Sequence, residues 1–106
     1  MSAGYHLSRP ARRDVVEIAD YLSQTSLALA ARFLDAVEQT CAAAAQMPGK
    51  GSPWESDHPE LAGLRFVKVI GFKNHLVFYL SAGDAIRIVR VLQGGRDIAG
   101  ILEGDG

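Results

Sequence analysis

Only one cysteine, Cys41, occurs in the 106 residues, so no internal disulfide and no cysteine-rich zinc site is available, and the chain suits a reducing compartment with Cys41 as a packing residue. His6, His58 and His75 lie far apart, and none has a His, Cys or carboxylate at metal-ligand spacing, so neither a metal nor a cofactor is expected. No apolar run approaches the roughly 20 residues that a membrane-spanning helix needs. Residues 1–4 carry no basic region followed by an apolar stretch, so secretion and insertion are not indicated and a cytoplasmic location is expected. A Gly-x-Ser-x-Gly elbow is absent, and Ser8, Ser23 and Ser26 sit where helix caps are needed. Gly94-Gly95 lacks the longer glycine spacing of a nucleotide loop and reads as backbone punctuation before Arg96.

What remains is an ordinary globular composition, 48% apolar and 22% charged, of a size expected to form one domain over residues 1–106. The net charge of −1 hides an asymmetry. Residues 1–60 hold five Lys/Arg against eight Asp/Glu, whereas residues 61–96 hold Arg65, Lys68, Lys73, Arg87, Arg90 and Arg96 against the single acid Asp84. Such a basic half is an electrostatic footprint for an acidic protein or a nucleic acid, or else the solvated face of a sheet.

Tyr5 and Leu7 alternate with polar neighbours in a brief strand over Gly4–Leu7, and Ser8 followed by Pro10 starts a helix. Ala11, Val15, Ile18 and Leu22 form its apolar stripe; after a break at 24–26, a second helix capped by Ser26 shows Ala30, Leu34, Val37, Cys41 and Ala44, with Phe33 beside them. The two helices are expected to form an antiparallel hairpin. Residues 48–63 read as a loop in which Trp54 either anchors a partner or folds back onto the domain. Strands are predicted at 64–70, 75–80 and 85–92, separated by turns at 71–74 and 81–84, with a short terminal helix over 98–102. The middle strand is apolar on both faces: the helical hairpin is expected to cover one, and a partner the other. Arg87 and Arg90, three apart on one strand, are expected on opposite faces, one of them paired with a helix carboxylate such as Asp20 or Glu38.

The segments YHLSRPARRDVVEIADYLSQTS, AARFLDAVEQT, GLRFVKVIGFKNHLVFYL and IRIVRVLQGGRD, in this order and spacing, resemble the ParE branch of the RelE/ParE superfamily of type II toxin-antitoxin toxins along nearly the whole chain. The resemblance implies an α+β fold: an N-terminal strand, an antiparallel helical hairpin and a three-stranded antiparallel meander in one sheet, with the helices on one face. It also implies a cognate ParD-like antitoxin that wraps around the toxin in a hetero-oligomeric complex, and DNA gyrase as the target. Nuclease members of the superfamily instead cut messenger RNA on the ribosome. Gly94-Gly95-Arg96 matches their Gly-x-Arg segment, but Leu102 falls near the place of their downstream tyrosine, leaving no residue to complete the proton transfers of RNA cleavage. Gln93 stands where ParE members often have histidine, so no titration is available there.

The expected function is therefore growth inhibition by a binding toxin without catalytic residues, using Arg65, Lys68, Lys73, His75, Arg90 and Arg96 to meet target or antitoxin. A ribosome-dependent messenger RNA endonuclease, or a degenerate toxin that binds only its antitoxin, is the alternative. No membrane partner is expected.

Overall fold

The computed structural model describes residues 4–104. Strand β1 (Gly4–Leu7) leads into α1 (Arg9–Ser23) and α2 (Leu27–Gln46), followed by β2 (Ser52–Pro53), β3 (Arg65–Val69), β4 (Phe72–Ala82), β5 (Ala85–Gln93) and α3 (Ile98–Gly104). The strands form one five-stranded sheet in the order β1-β5-β4-β3-β2. β1 runs parallel to β5, the other pairings are antiparallel, and the long connection that parallel pairing requires consists of the hairpin α1–α2 followed by β2, β3 and β4.

Capping starts both helices as expected. Ser8 Oγ accepts from the Ala11 N–H at 3.1 Å, and Ser26 Oγ accepts from the Leu29 N–H at 3.0 Å. On α2 the buried stripe is Ala30, Phe33, Val37, Cys41 and Ala44, joined by Ala36, Thr40 and Ala45. Leu34, expected in the stripe, is exposed, because Phe33 fills that turn of the hairpin–sheet interface. Cys41 is fully buried, and desolvation, followed by the charge of Glu38, pushes its thiol up to about 12, in keeping with a packing role.

Two expected boundaries move. β4 begins at Phe72 rather than at residue 75, and the chain reverses at Ile70-Gly71, where Gly71 takes a φ of +79°. The longer turn was expected because a register shift between Lys68 and Val69 breaks the alternation. Within 48–63 lies β2, too short to show a period; only its pairing with Arg65 and Phe66 makes it a strand.

The second sheet face does not wait for a partner. Trp54 packs edge-on against Phe78 at 5.5 Å, and Leu61, Leu64, Ile98, Ile101 and Leu102 close over Phe66, Phe78 and Leu92. The 54–64 segment and α3 thus form a thin third layer, as the doubly apolar β4 demands: Val77 and Tyr79 face the hairpin, and Leu76, Phe78 and Leu80 face α3.

A bulge organises β5. Phe78 lies opposite Arg90 and Tyr79 opposite Ile88, so Val89 is the extra residue. The alternation therefore slips: Ile86, Ile88 and Val91 join the hairpin side, and Val89 and Leu92 the α3 side. This corrects the opposite-face expectation for Arg87 and Arg90, which line one cavity. It also replaces Asp20 or Glu38 with Asp14 as the carboxylate partner. Asp14 accepts from Arg90 Nε at 2.7 Å, Arg90 Nη2 at 2.8 Å and the Val91 backbone N–H at 3.0 Å. Ser8 completes the edge beyond β1, its N–H donating to Ile88 O and its hydroxyl to Val89 O.

Asp14→Ala leaves a largely buried guanidinium and a strand N–H without their acceptor, so it is expected to destabilise the fold by about 3–5 kcal/mol in urea unfolding. Pairing Asp14→Leu with Arg90→Met is expected to recover much of that loss; equal losses in both variants would refute the ion-pair account.

Candidate functional site

The basic residues of 61–96 do not form one patch. Arg65 donates from Nη1 to Gly51 O at 2.6 Å; beside it the Gly51 N–H donates to the Tyr79 hydroxyl at 3.1 Å, and that hydroxyl donates to Pro48 O at 2.7 Å. A Cβ at Gly51 would overlap the Tyr79 hydroxyl, which is why glycine stands there. Arg65 is thereby committed to tying the 48–51 turn to the sheet. Arg90 is committed to Asp14. His75 packs against Phe33 at 5.3 Å and Phe72 at 6.3 Å, with Nδ1 buried and without a hydrogen-bond partner among the described residues. Desolvation holds its pKa below the ordinary value.

Lys68 and Lys73 are exposed on β3 and β4, and Arg96 is exposed in the turn after β5, beside a cavity of about 40 Å³ also lined by Asp14 and Glu17. The six expected residues are thus divided between three exposed cations on different elements and three side chains turned to internal partners or apolar rings. Among the described residues no group of three His, Cys, Asp or Glu side chains converges to hold a metal, and no helix is long and apolar enough to cross a membrane.

A second feature gives Lys68 a context. β2 pairs with β3 only at Arg65 and Phe66, so the rest of that edge carries no strand. Leu64 O accepts from the Trp54 N–H, and the Ile70 N–H donates outward to Thr40 Oγ1 at 2.9 Å, so alternation aims the backbone groups of Lys68 at the same open edge. Beside it runs a cleft of about 270 Å³ between α2 and β3, floored by Ala43, Ala44 and Val67 and rimmed by Met47, Ile70, Lys50 and Lys68. Met47 and Ile70 are 56% and 52% exposed, unusual for side chains of their size. An open strand edge beside an apolar cleft with lysines at its rim suits an extended peptide carrying aliphatic and acidic side chains. Of these residues only Lys68 stood out in the sequence. Only the shortness of β2 leaves Met47 and Ile70 open.

Leu102 packs on the α3 face of the sheet with Phe78 and Leu92.

Because folding keeps His75 neutral, the unfolded chain binds the extra proton first. Stability is fully present above the unfolded pKa of about 6.5 and declines as pH falls toward the lower folded value. Urea midpoints measured from pH about 7 down to about 5 should therefore fall less steeply for His75→Phe than for the parent; parallel curves would refute the assignment.

The ParE toxin family of type II toxin-antitoxin systems, parDE, matches residues 5–98. Among solved structures, one described as the chromosomal ParDE TA system from P. aeruginosa superposes with a TM-score of 0.67 at 19% identity, covering 85% of this chain and 94% of that one. A search of curated protein sequences found no match. With nearly every described element inside the matched span, the chain belongs to the ParE toxin family of type II toxin-antitoxin systems.

Proposed function

We propose that this toxin acts in the cytoplasm as a binding inhibitor of DNA gyrase and is neutralised by a ParD-like antitoxin in a hetero-oligomeric complex. The observation that carries the choice of binding over RNA cleavage is the disposition of the groups a nuclease would need. Arg65 is bound to Gly51 O, Arg90 to Asp14, His75 is enclosed by Phe33 and Phe72, and Leu102, near the expected place of the nuclease branch's downstream tyrosine, packs as an apolar side chain. Lys68, Lys73 and Arg96 remain exposed on separate elements, which suits charge steering toward a large partner better than enclosure of one scissile phosphate. The cleft along β3 supports the antitoxin half of the reading, since an aliphatic and acidic strand would complete the edge, cover Met47 and Ile70 and meet Lys50 and Lys68.

The purified toxin is expected to inhibit supercoiling by gyrase and, on induction in a bacterial host, to arrest growth with DNA damage signalling while messenger RNA stays intact. Rapid message cleavage at ribosomes would install the nuclease reading instead, and no arrest at all would mark a toxin that binds only its antitoxin. For the cleft, combining Lys68→Glu with Ile70→Asp should weaken the complex with the antitoxin encoded beside it by roughly 10- to 100-fold in calorimetry. Unchanged affinity would move the antitoxin elsewhere.

A further inference from the structure

The helical hairpin leaves apolar side chains on its outer side. Residues recurring every three or four positions share a helix face, so α1 carries Arg12, Val16, Ala19 and Ser23 in one row and α2 carries Leu27, Ala31, Leu34 and Glu38 in another. Neither row belongs to the core, which takes Ala11, Val15 and Ile18 from α1 and Phe33, Val37 and Cys41 from α2. The rows run side by side: counted from Thr25 at the turn, Val16 and Leu34 are equally distant, and so are Arg12 and Glu38. Val16, Leu27 and Leu34 are 58%, 79% and 43% exposed, and Ala31 is exposed between the two leucines. Single exposed apolar side chains are ordinary; adjoining rows of them form a patch. At one end of that patch Arg12 and Glu38 are exposed, and neither has a hydrogen bond or ion pair among the described residues.

The placement of these two charges selects the occupant. An acidic peptide or a nucleic acid would be drawn to Arg12 and repelled by Glu38 at the same level. A partner that satisfies both needs an acid and a base in the reverse order beside an apolar strip, and the chain itself supplies one. A two-fold axis parallel to the helices lays α1 of one copy antiparallel on α2 of the other without changing level. Val16 then covers Leu34 of the other copy, and Arg12 meets its Glu38, twice over by symmetry. Counted the same way, Asp35 comes level with residue 15 of the other copy, between Arg13 and Glu17, a base and an acid that balance, so the match in charge rests on Arg12 and Glu38.

We propose that the outer side of the α1–α2 hairpin is a self-association surface, through which two copies of this toxin form a reversible two-fold dimer, packed on Val16, Leu27 and Leu34 and registered by Arg12 against Glu38 of the other copy. Two helices side by side along the 15 residues of α1 offer roughly 400–500 Å² per copy, about half of one partner's share in a standard interface, so the dimer forms at micromolar concentration and is not obligate. It also gives the exposed Leu34 a role that the core does not. The β3 cleft uses a different row of α2, Thr40, Ala43, Ala44 and Met47, and the dimer does not depend on gyrase being the target.

The test is sedimentation equilibrium of the purified full-length toxin between about 1 and 500 μM. A monomer–dimer equilibrium is expected, loosened about tenfold or more by Leu34→Glu, and likewise by Arg12→Glu or Glu38→Arg alone. Mixing the Arg12→Glu and Glu38→Arg proteins in equal amounts is expected to restore association, because each offers the other the charges that its own copies lack. Within one chain either substitution leaves two like charges level with each other, so an intrachain effect cannot produce that rescue. The substituted positions are exposed, and the variants are expected to melt like the parent in thermal denaturation. A monomer at every concentration, a dimer indifferent to Leu34→Glu, or mixed variants that stay apart would each overturn the proposal. So would a monomeric toxin whose Val16 and Leu34 amides shift only when antitoxin is added, which would give this face to the antitoxin.

Discussion

The Asp14 carboxylate sits at the junction on which the rest of the arrangement depends. β1 ends at Leu7, yet β5 continues to Gln93, so the second half of β5 reaches the sheet edge with no strand beside it. Ser8 and Asp14 take over the hydrogen bonding that a longer β1 would have supplied, and Arg90 neutralises the carboxylate brought in to do it. A buried ion pair of this kind contributes little net stability compared with apolar packing. Its value is positional: it fixes the rotation of α1 on the sheet and holds the bulge at Val89, where the two faces of β5 exchange residues.

That exchange explains how so short a chain covers both faces of a central strand. Before the bulge, Ile86 and Ile88 pack under the helical hairpin; after it, Val91 continues the same side while Val89 and Leu92 turn toward α3. The hairpin layer is thick, with Phe33, Val37 and Cys41 driven fully into the sheet. The opposite layer is thin, a loop with Trp54 and a helix of only seven residues held by Ile98, Ile101 and Leu102. Covering both faces leaves the sheet edges and the outer side of the hairpin as the places where partners can be met. The open part of β3 offers backbone and an apolar cleft.

How legible this was varied with the range of the interaction behind each feature. Ser8 and Ser26 as caps, the Ala11-Val15-Ile18-Leu22 stripe and the doubly apolar run of β4 are local patterns, and all appear where the sequence places them. The family resemblance also rests on local segments in order. Leu34 and the start of β4 depart from the local pattern, the first because Phe33 fills that turn of the interface and the second because the register shifts between Lys68 and Val69. Of the six basic residues singled out, sequence could state their charge but not the partner that absorbs it.

Composition, periodicity and capping, all properties of neighbours a few residues apart, were enough to determine a helical hairpin followed by a meander and a packing position for Cys41. Which cations are free was decided only in three dimensions. Asp14 and Arg90 are separated by 76 residues, and Gly51 and Arg65 meet only because β2 pairs with β3. A single extra residue at Val89 reverses the side on which everything after it lies. A bulge, a strand two residues long and an ion pair across the whole chain leave no periodic trace, because each is fixed by what folding brings alongside.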